Sequence, residues 1–205
     1  MPQVKEKRER YLGTRLHLKG ERCDSPKCAL VRKPYPPGVH GKKRSRRNVS
    51  EFGLQLKEKQ KFKLSYGLDE RNLKRLFVQA AKSKGSTTEK ILELLERRLD
   101  NVIFRLGFAS SRGMARQLVV HGHIMVNGKV VRSPGLAVKP GNVVNIKPGS
   151  ESKAGVADRR EVLKKYEPPA WLLLDKDKLE GKVVSLPQET QAPFEINLLV
   201  EAFSK

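Results

Sequence analysis

Positive charge is concentrated in the first three quarters of this sequence. The 205 residues include 43 Lys and Arg against 22 Asp and Glu, a formal net charge of +21. Residues 1–50 hold 15 basic and 4 acidic side chains, whereas residues 151–205 hold 9 basic and 10 acidic ones. Because such an excess destabilises a compact chain by self-repulsion, we expect a polyanion to neutralise the first part. The near-neutral last quarter is expected to face protein neighbours or to pack on the helical part of the chain.

Nucleic acid and an anionic membrane surface are the two polyanions that fit this charge. The longest unbroken apolar run, Ala170–Leu174, is far shorter than the ~20 residues that span a bilayer. No continuous helix face sets bulky apolar residues opposite lysines, as binding to a membrane surface requires. Residues 1–10 carry charges of both signs, and no apolar signal-peptide segment follows them. The sequence therefore predicts a cytoplasmic RNA-binding protein without a membrane partner.

Residues 1–49 are predicted to form an extended basic arm. The segment Lys33–Gly38 contains three prolines, each of which removes a backbone donor and fixes φ. Five cations within six residues follow it, and a basic run of this kind is either a solvated segment or an RNA contact. Since structured basic segments come after the run, we predict RNA contacts at Lys42, Lys43, Arg44, Arg46 and Arg47.

Residues 50–92 are predicted to form a helical domain together with residues 187–205. Ser50 opens the first helix, whose row at spacing four is Phe52, Leu56, Gln60 and Leu64. Asp69 caps the second helix, whose apolar positions follow the i, i+3, i+4, i+7 pattern at Leu73, Leu76, Phe77 and Ala80. A C-terminal helix with apolar residues at helical spacing is expected to return to these two. The cations predicted to contact RNA here are Lys57, Lys59, Lys61, Arg71 and Arg75.

Further helices are predicted up to residue 122. Ser86–Glu89 has the spacing of a capping box, in which the hydroxyl reaches forward and the carboxylate reaches back. The apolar row behind it runs to Leu106, and Asp100 or Asn101 is expected to break it into two helices. Ser110 or Ser111 then caps a helix with its own apolar face, which is formed by Met114, Ala115, Leu118 and Val119.

The apolar period changes to two after residue 122, which indicates strands. Asn127-Gly128 is a strong signal for a type I′ hairpin between two short apolar runs. Further strands are predicted at Val143–Ile146 and Lys182–Leu186, with a short helix at Asp158–Tyr166 between them. The predicted fold class is α+β. An RNA-binding module of helices packed on a small antiparallel sheet spans residues 93–186, with its core at 97–147.

Three segments resemble the RNA-binding module that is named after ribosomal protein S4: Arg98–Phe108, Ser111–Val119 and His121–Val131. Gly20–Cys23, Pro34–Gly41 and other short segments are similar to the bacterial ribosomal protein S4 family itself. The resemblance implies a non-enzymatic structural constituent of the small ribosomal subunit that acts in translation. It also implies a primary binder of small-subunit (16S-type) ribosomal RNA, which nucleates ribosome assembly near the channel where messenger RNA enters. Implied partners are neighbouring small-subunit proteins and, in addition, messenger RNA.

Arginines within the module are predicted to bind phosphates bidentately: Arg98, Arg105, Arg112 and Arg116. Ser111 is predicted to act as a helix N-cap, to donate to a phosphate at the helix start, or to do both. Further RNA contacts are predicted near the same edge, where a structural role is the alternative for each histidine: Gln117, His121, His123 and Lys129. Aromatic residues make up 6% of the chain, which argues against a stacking platform for single strands.

Two cysteines raise the question of a metal site. Many members of the resembled family carry a C-x2-C pair before the cysteines that correspond to Cys23 and Cys28, and the four thiolates bind zinc. Here Glu6 and Glu9 stand where that pair would be. Structural zinc sites need a closed shell of nitrogen and sulfur ligands, so we predict no metal and no cofactor. Without zinc, the arm is expected to be ordered by RNA contact. An incomplete zinc site, if it persists, would use Cys23 and Cys28.

Two other classes of protein carry the same module, namely RNA-modification enzymes and stress-related RNA binders. Arg98-Leu99-Asp100 matches the short tripeptide around the catalytic aspartate of pseudouridine synthases. It lies within the module, however, and no residues remain for a separate catalytic domain. We therefore interpret Asp100 as a helix cap or the partner of an arginine. The stress-related binders are expected to be much shorter chains.

Overall fold

The computed structural model describes residues 5–42, 50–83, 85–150, 159–187 and 195–204. Its helices are α1 (Lys5–Leu12), α2 (Ala29–Arg32), α3 (Glu51–Ser65), α4 (Glu70–Ala81), α5 (Thr87–Glu96), α6 (Leu99–Arg105), α7 (Arg112–Val120), α8 (Arg159–Lys165) and α9 (Ile196–Ser204). Its strands are β1 (Ile124–Val126), β2 (Lys129–Val130), β3 (Val143–Ile146), β4 (Leu172–Asp175) and β5 (Glu180–Val183). The predicted α+β class is confirmed. Among the described residues, no helix is long and apolar enough to cross a bilayer.

The chain divides into two compact units, Glu89–Thr190 and the residues on either side of it. Residues 5–42 are folded, which corrects the prediction of an extended arm. Here α1 and α2 flank a 3-10 turn at Gly20–Cys23, and four apolar side chains are buried: Leu12, Leu16, Cys23 and Cys28. The helix α1 escaped prediction because it lacks an apolar period, and its buried residues are Glu9 and Leu12.

The two helices predicted from Ser50 and Asp69 are confirmed together with their caps. Ser50 Oγ accepts the N–H of Gly53, and the Asp69 carboxylate accepts the N–H of Asn72. The buried face of α3 differs from the predicted row, because Phe52 is 73% exposed. The side chains that α3 buries instead are Gln55, Glu58, Phe62 and Ser65.

Packing against α9 explains why α3 buries a polar face. Gln55 Nε2 donates to the Glu201 carboxylate at 3.3 Å. On α4, Phe77 stacks on Phe203 of α9, with ring centres 5.1 Å apart. Burying a polar group costs free energy unless it is hydrogen-bonded, and α9 provides such a partner.

The junction of α5 and α6 lies at Arg97 and Arg98, earlier than the predicted break at Asp100 or Asn101. The loop at residues 134–136 determines this position. Its carbonyls accept the N–H of Leu99 at 2.8 Å and that of Asp100 at 3.1 Å. The free donors at the start of α6 are therefore satisfied by a loop that lies far away in sequence.

The strands form one antiparallel sheet in the order β2-β1-β3-β5-β4. Asn127 and Gly128 have φ of 49° and 78°, as the predicted type I′ hairpin requires. The strand predicted at Lys182–Leu186 is wrong in position, because β5 covers Glu180–Val183, and β4 was not predicted. The start of β5 was missed because it contains Gly181, and glycine is depleted in strands. The strand β4 was missed because its sequence is rich in leucine and has no β-branched residue.

The core of the Glu89–Thr190 unit lies between the sheet and α6, α7 and α8, and its fully buried side chains include Leu99, Ile103, Leu106, Phe108, Val119, Ile124 and Val144. Two hydrogen bonds attach α8 to the end of α6. Tyr166 Oη donates to the Arg105 carbonyl at 2.9 Å, and Arg159 Nε donates to the Gly107 carbonyl at 3.1 Å. This attachment holds the end of α6 from which the Arg105 side chain extends.

Replacing Gly181 with alanine is expected to destabilise this unit by about 1–3 kcal/mol through overpacking. A Cβ at Gly181 would lie 2.3 Å from Cδ1 of Leu106, which is fully buried and cannot move away cheaply. Urea denaturation measures the change. The control is Gly135→Ala, where the nearest atom would lie 3.4 Å away, in ordinary contact. Equal stability of the two variants would contradict the close packing of β5 on α6.

Candidate nucleic-acid interface

The start of α7 brings together three of the predicted RNA contacts. Ser111 is the N-cap, and its Oγ accepts the N–H of Met114 at 3.3 Å. Arg112 and Arg116 follow four residues apart, so they lie on the same side of the helix. The predicted capping role of Ser111 is confirmed. Its hydroxyl proton can still be donated elsewhere, so the phosphate contact stays a prediction.

Glu96 is a fully buried carboxylate at the centre of a polar network. It accepts hydrogen bonds from Nε and Nη2 of Arg105 at 2.9 and 3.0 Å, and from Asn101 Nδ2 at 2.8 Å. Burial alone would raise the pKa of Glu96, but Arg105, Arg112 and Asn101 together hold it below the ordinary value. The network therefore contains a carboxylate that stays ionised inside the protein.

Arg112 is oriented from two directions. Its Nε donates to Asn101 Oδ1 at 2.7 Å, and its guanidinium carbon lies 4.6 Å from the ring centre of Phe104. Because Asn101 also donates to Glu96, the buried carboxylate fixes the amide that orients this arginine. An arginine held in this way loses less conformational entropy when it binds a ligand.

Asp100 links the other two arginines of the network. Its carboxylate is nearly buried and accepts from Nε and Nη2 of Arg98 at 3.1 and 2.7 Å. The interpretation of Asp100 as an arginine partner is therefore confirmed. Arg116 Nη1 lies 4.0 Å from the same carboxylate, and its side chain is 51% exposed. Arg98 and Arg105 are thus engaged with internal carboxylates, whereas Arg116 extends toward solvent.

The remaining predicted contacts of this unit lie on α7, at Gln117, and beyond its end, at His121, His123 and Lys129. Gln117, His121 and Lys129 are exposed. His123 is half-buried, and its Nδ1 is 3.1 Å from Ser150 Oγ, which gives this ring the structural role that was the alternative reading. The exposed Arg132, which was not predicted, lies next to Gly122 and adds a cation to the same edge.

The helical unit presents its predicted cations in two different ways. On α3, Lys59 pairs with Glu70 and Lys61 with Glu58, while Lys57 is half-buried. On α4, Arg71 and Arg75 are exposed and line a shallow depression. Lys74 and Lys82, which were not among the predicted contacts, line it as well. The α4 face is therefore the more accessible cationic surface of the two.

Only one of the five cations predicted at residues 42–47 lies within the described chain. Lys42 is exposed, and its Nζ is 5.7 Å from the ring centre of Tyr35. The other four lie outside the described residues: Lys43, Arg44, Arg46 and Arg47.

Glu9 occupies the centre of the fold around the two cysteines. Its carboxylate is 2% exposed and accepts the backbone N–H groups of Leu16 and Leu18 at 3.1 and 3.2 Å. The Cys23 thiol donates to it at 3.9 Å, and burial raises the pKa of this thiol. Within the described residues, no three Cys, His, Asp or Glu side chains are grouped as a metal ion would need. The residues present therefore do not fit a zinc site. Glu9 instead links α1 to the segment at Leu16 and Leu18 by hydrogen bonds.

Sequence reasoning missed the residues that position the arginines, namely Glu96 and Asn101. One signal was available, because Glu96 lies within the apolar row of α5, next to the buried Leu95. A carboxylate at such a position is rarely buried without a charged partner. Glu9 had a signal of its own, since it stands where the resembled family carries a metal-binding cysteine pair.

Comparison with known proteins matches both units of the chain. Residues 3–96 match the family model described as the ribosomal protein S4/S9 N-terminal domain, and residues 97–144 match the S4 domain. The small ribosomal subunit protein uS4 of Thermoanaerobacter sp. (strain X514) is 48% identical over 195 residues, which is 94% of this chain and 93% of that protein. The protein of the same name from Thermus thermophilus is 46% identical over the same shares of both chains. With this identity and coverage, the chain belongs to the uS4 family of small ribosomal subunit proteins.

Proposed function

We propose that this chain is a structural constituent of the small ribosomal subunit, where it binds small-subunit (16S-type) ribosomal RNA and neighbouring ribosomal proteins. It acts on the ribosome in translation and is not an enzyme. The observation that carries the proposal is the pair of arginines at the start of α7, with Arg112 held by Asn101 and Phe104 beside the half-exposed Arg116. The alternatives, an RNA-modification enzyme or a stress-related RNA binder, are not favoured, because relatives across 94% of the chain are named as ribosomal proteins.

The arginine pair binds RNA through phosphates. Each cation that neutralises a phosphate releases condensed counterions, and this release supplies much of the affinity. Contacts of this kind fix the orientation of the protein on the RNA without reading bases. Arg98 and Arg105 support the interface from inside, because their ion pairs with Asp100 and Glu96 hold the start of α6 and join α6 to the end of α5. Of the four arginines predicted to bind phosphates, we therefore propose that Arg112 and Arg116 make the direct contacts, together with the exposed residues near them.

The finer part of the proposal is a primary binder that nucleates assembly near the channel where messenger RNA enters. The presence of a cationic surface on each unit supports it. One surface lies at α7 and the following hairpin, and another lies on the exposed face of α4. A protein with two such surfaces can hold two RNA segments together, and messenger RNA is a further polyanion within this proposal.

A filter-binding titration tests the function. The intact protein is titrated with 16S-type ribosomal RNA and with an unrelated RNA of equal length, at several salt concentrations. We expect a preference for the ribosomal RNA that persists near physiological salt. Equal affinity for both RNAs, with a steep loss of affinity as salt rises, would indicate nonspecific electrostatic binding and contradict the proposal.

Replacing Arg116 with alanine is expected to weaken ribosomal RNA binding several-fold and to reduce the salt slope of log K by about one, as the loss of one phosphate contact predicts. The fold should be unaffected, because Arg116 is half-exposed and its distance to Asp100 is 4.0 Å. The control is Lys178→Ala, an exposed cation in the near-neutral last quarter. If Lys178→Ala reduced the salt slope of log K by the same amount, Arg116 would not belong to the RNA interface.

A further inference from the structure

A concave site within residues 5–42 has a strongly cationic lining. The cavity measures about 440 Å³, which lies within the usual range for ligand sites. It is bordered by α1, the 3-10 turn, α2 and Pro37-Gly38. Its cations are Lys7, Arg10, Arg22, Lys27, Arg32 and Lys33. Among the described residues that line the cavity, Glu6 is the one acidic side chain.

Two of the cations hold the walls of the cavity in place. Arg10 Nε donates to the carbonyls of Lys33 and Tyr35, at 3.1 Å each, and so fixes the proline-containing segment against α1. Arg22 Nε pairs with Glu6 at 2.7 Å, and Lys19 Nζ lies 3.4 Å from the same carboxylate oxygen. The acidic group of the lining is therefore already shared between two cations.

The other four cations have no partner among the described residues. Lys7, Lys27, Arg32 and Lys33 are exposed, and their side chains make no hydrogen bond or ion pair with any residue in the described part of the chain. Like charges gathered around one cavity repel one another unless an anion is bound between them. The walls are thus built by internal bonds, while the positive charge inside them is left uncompensated.

We propose that this cavity binds closely spaced phosphates in the backbone of an RNA strand. The inference rests on the proposed function and gives the same ribosomal RNA a further contact surface, which none of the residues predicted from the sequence includes. Folded RNA brings phosphates together, and a concave cationic site releases counterions from several of them at once. The contact positions the first unit on the RNA without selecting bases.

The chemistry of the lining favours a phosphate backbone over a base. None of the described residues that line the cavity is aromatic. The lining therefore offers no ring on which a base could stack. A free polyphosphate would present the same charge as an RNA backbone, and the experiment has to distinguish these two sources.

The test compares two double variants with the same loss of charge. Lys27→Gln with Arg32→Gln removes two unpartnered cations from the cavity. The control, Lys165→Gln with Lys178→Gln, removes two exposed cations from the last quarter of the chain. For 16S-type RNA, we expect the cavity variant to reduce the salt slope of log K by about two and the control to leave it unchanged. Lys27→Arg with Arg32→Lys should restore the slope, and circular dichroism checks that each variant is folded.

The result that would overturn the inference is an equal salt slope for the cavity variant and the control. This failure can be told apart from a failure of the proposed function, because the same titrations measure the preference of the unaltered protein for ribosomal over unrelated RNA. Inorganic tripolyphosphate, titrated without RNA at matched ionic strength, tests the other phosphate source. For an RNA site, we expect the cavity variant to lose RNA salt slope whether or not it also loses tripolyphosphate affinity. Loss of tripolyphosphate binding with an unchanged RNA salt slope would assign the cavity to free polyphosphate and overturn the RNA assignment.

Discussion

Replacing Glu96 with alanine is expected to lower the free energy of unfolding by about 3 kcal/mol. The fully buried carboxylate accepts two hydrogen bonds from Arg105 and one from Asn101. Alanine would leave the Arg105 donors without this acceptor and would leave Asn101 only the backbone carbonyl of residue 96. Breaking a buried pair typically costs about 3–5 kcal/mol, and the low end applies because the Arg105 side chain is 26% exposed to water. Urea denaturation of the intact chain measures the loss.

A second readout tests the positioning role of Glu96. Without the carboxylate, Asn101 Nδ2 keeps only the backbone carbonyl of residue 96, at 3.1 Å, as its acceptor. The amide that orients Arg112 is then held less firmly, so ribosomal RNA binding should weaken although Glu96 itself is buried. Glu96→Gln is the matched control, because it keeps the shape and one acceptor oxygen and should cost less in both measurements. Weaker stability with unchanged RNA binding would limit Glu96 to a structural role.

The stabilisation by Glu96 should depend on pH. Despite the opposing effect of burial, its partners hold the pKa of the folded-state carboxyl below the ordinary value of 4.5. A lowered folded-state pKa means that the stabilisation is fully present above 4.5 and is lost as the pH falls toward the folded-state pKa. The difference in unfolding free energy between the unaltered protein and Glu96→Gln should therefore shrink below pH 4.5. A constant difference would mean that the carboxyl is not ionised inside the fold.

Replacing Glu9 with alanine is the second change with a large expected effect, a loss of about 3 kcal/mol. Two backbone N–H groups, those of Leu16 and Leu18, donate to this buried carboxylate, and hydrogen bonds to charged groups contribute about 1.5–3 kcal/mol each. Thermal unfolding measures the total. Hydrogen exchange at the amides of Leu16 and Leu18 measures the local loss, which should exceed that in the sheet of the second unit.

The controls for Glu9 distinguish stabilisation by its carboxylate from stabilisation by a bound metal ion. Glu9→Gln keeps an acceptor oxygen and should retain part of the stability that alanine removes. A chelator should leave the melting temperature of the unaltered protein unchanged, because Glu9 joins the segments that a metal would otherwise hold. Destabilisation by the chelator, with little effect of Glu9→Ala, would show that a metal performs this task.

Features that depend on neighbouring residues were predictable from the sequence. The caps at Ser50, Asp69 and Ser111 are confirmed, because each hydroxyl or carboxylate bonds an N–H three residues along the chain. The hairpin at Asn127-Gly128 is confirmed for a similar reason, since its two positive φ angles belong to the turn itself. Capping and turn chemistry act within a few residues, so the sequence contains both partners.

Features that depend on distant partners were not predictable. The sequence presents Arg105 as a cation available to RNA, but its acceptor Glu96 lies nine residues away on another helix. The buried face of α3 was misjudged because its partner, α9, lies more than one hundred residues further along the chain. The helix α1 is organised by Glu9, whose polar contacts give no apolar period. In each case a polar contact between residues that are separated in sequence determines the structure, and hydrophobic periodicity does not reveal such contacts.

The return of α9 to α3 and α4 affects how the chain folds during synthesis. The second unit is continuous and can close its core as soon as β5 has emerged, but α3 waits for α9. At about 5–20 residues per second, the ~123 residues from the end of α4 to the end of α9 impose a delay of roughly 6–25 s. The face of α3 that waits sets Gln55 and Glu58, which water can solvate, beside the apolar Phe62. A nascent chain therefore exposes less apolar surface on this helix than it would with a wholly apolar face, which suits a protein whose first unit is completed last.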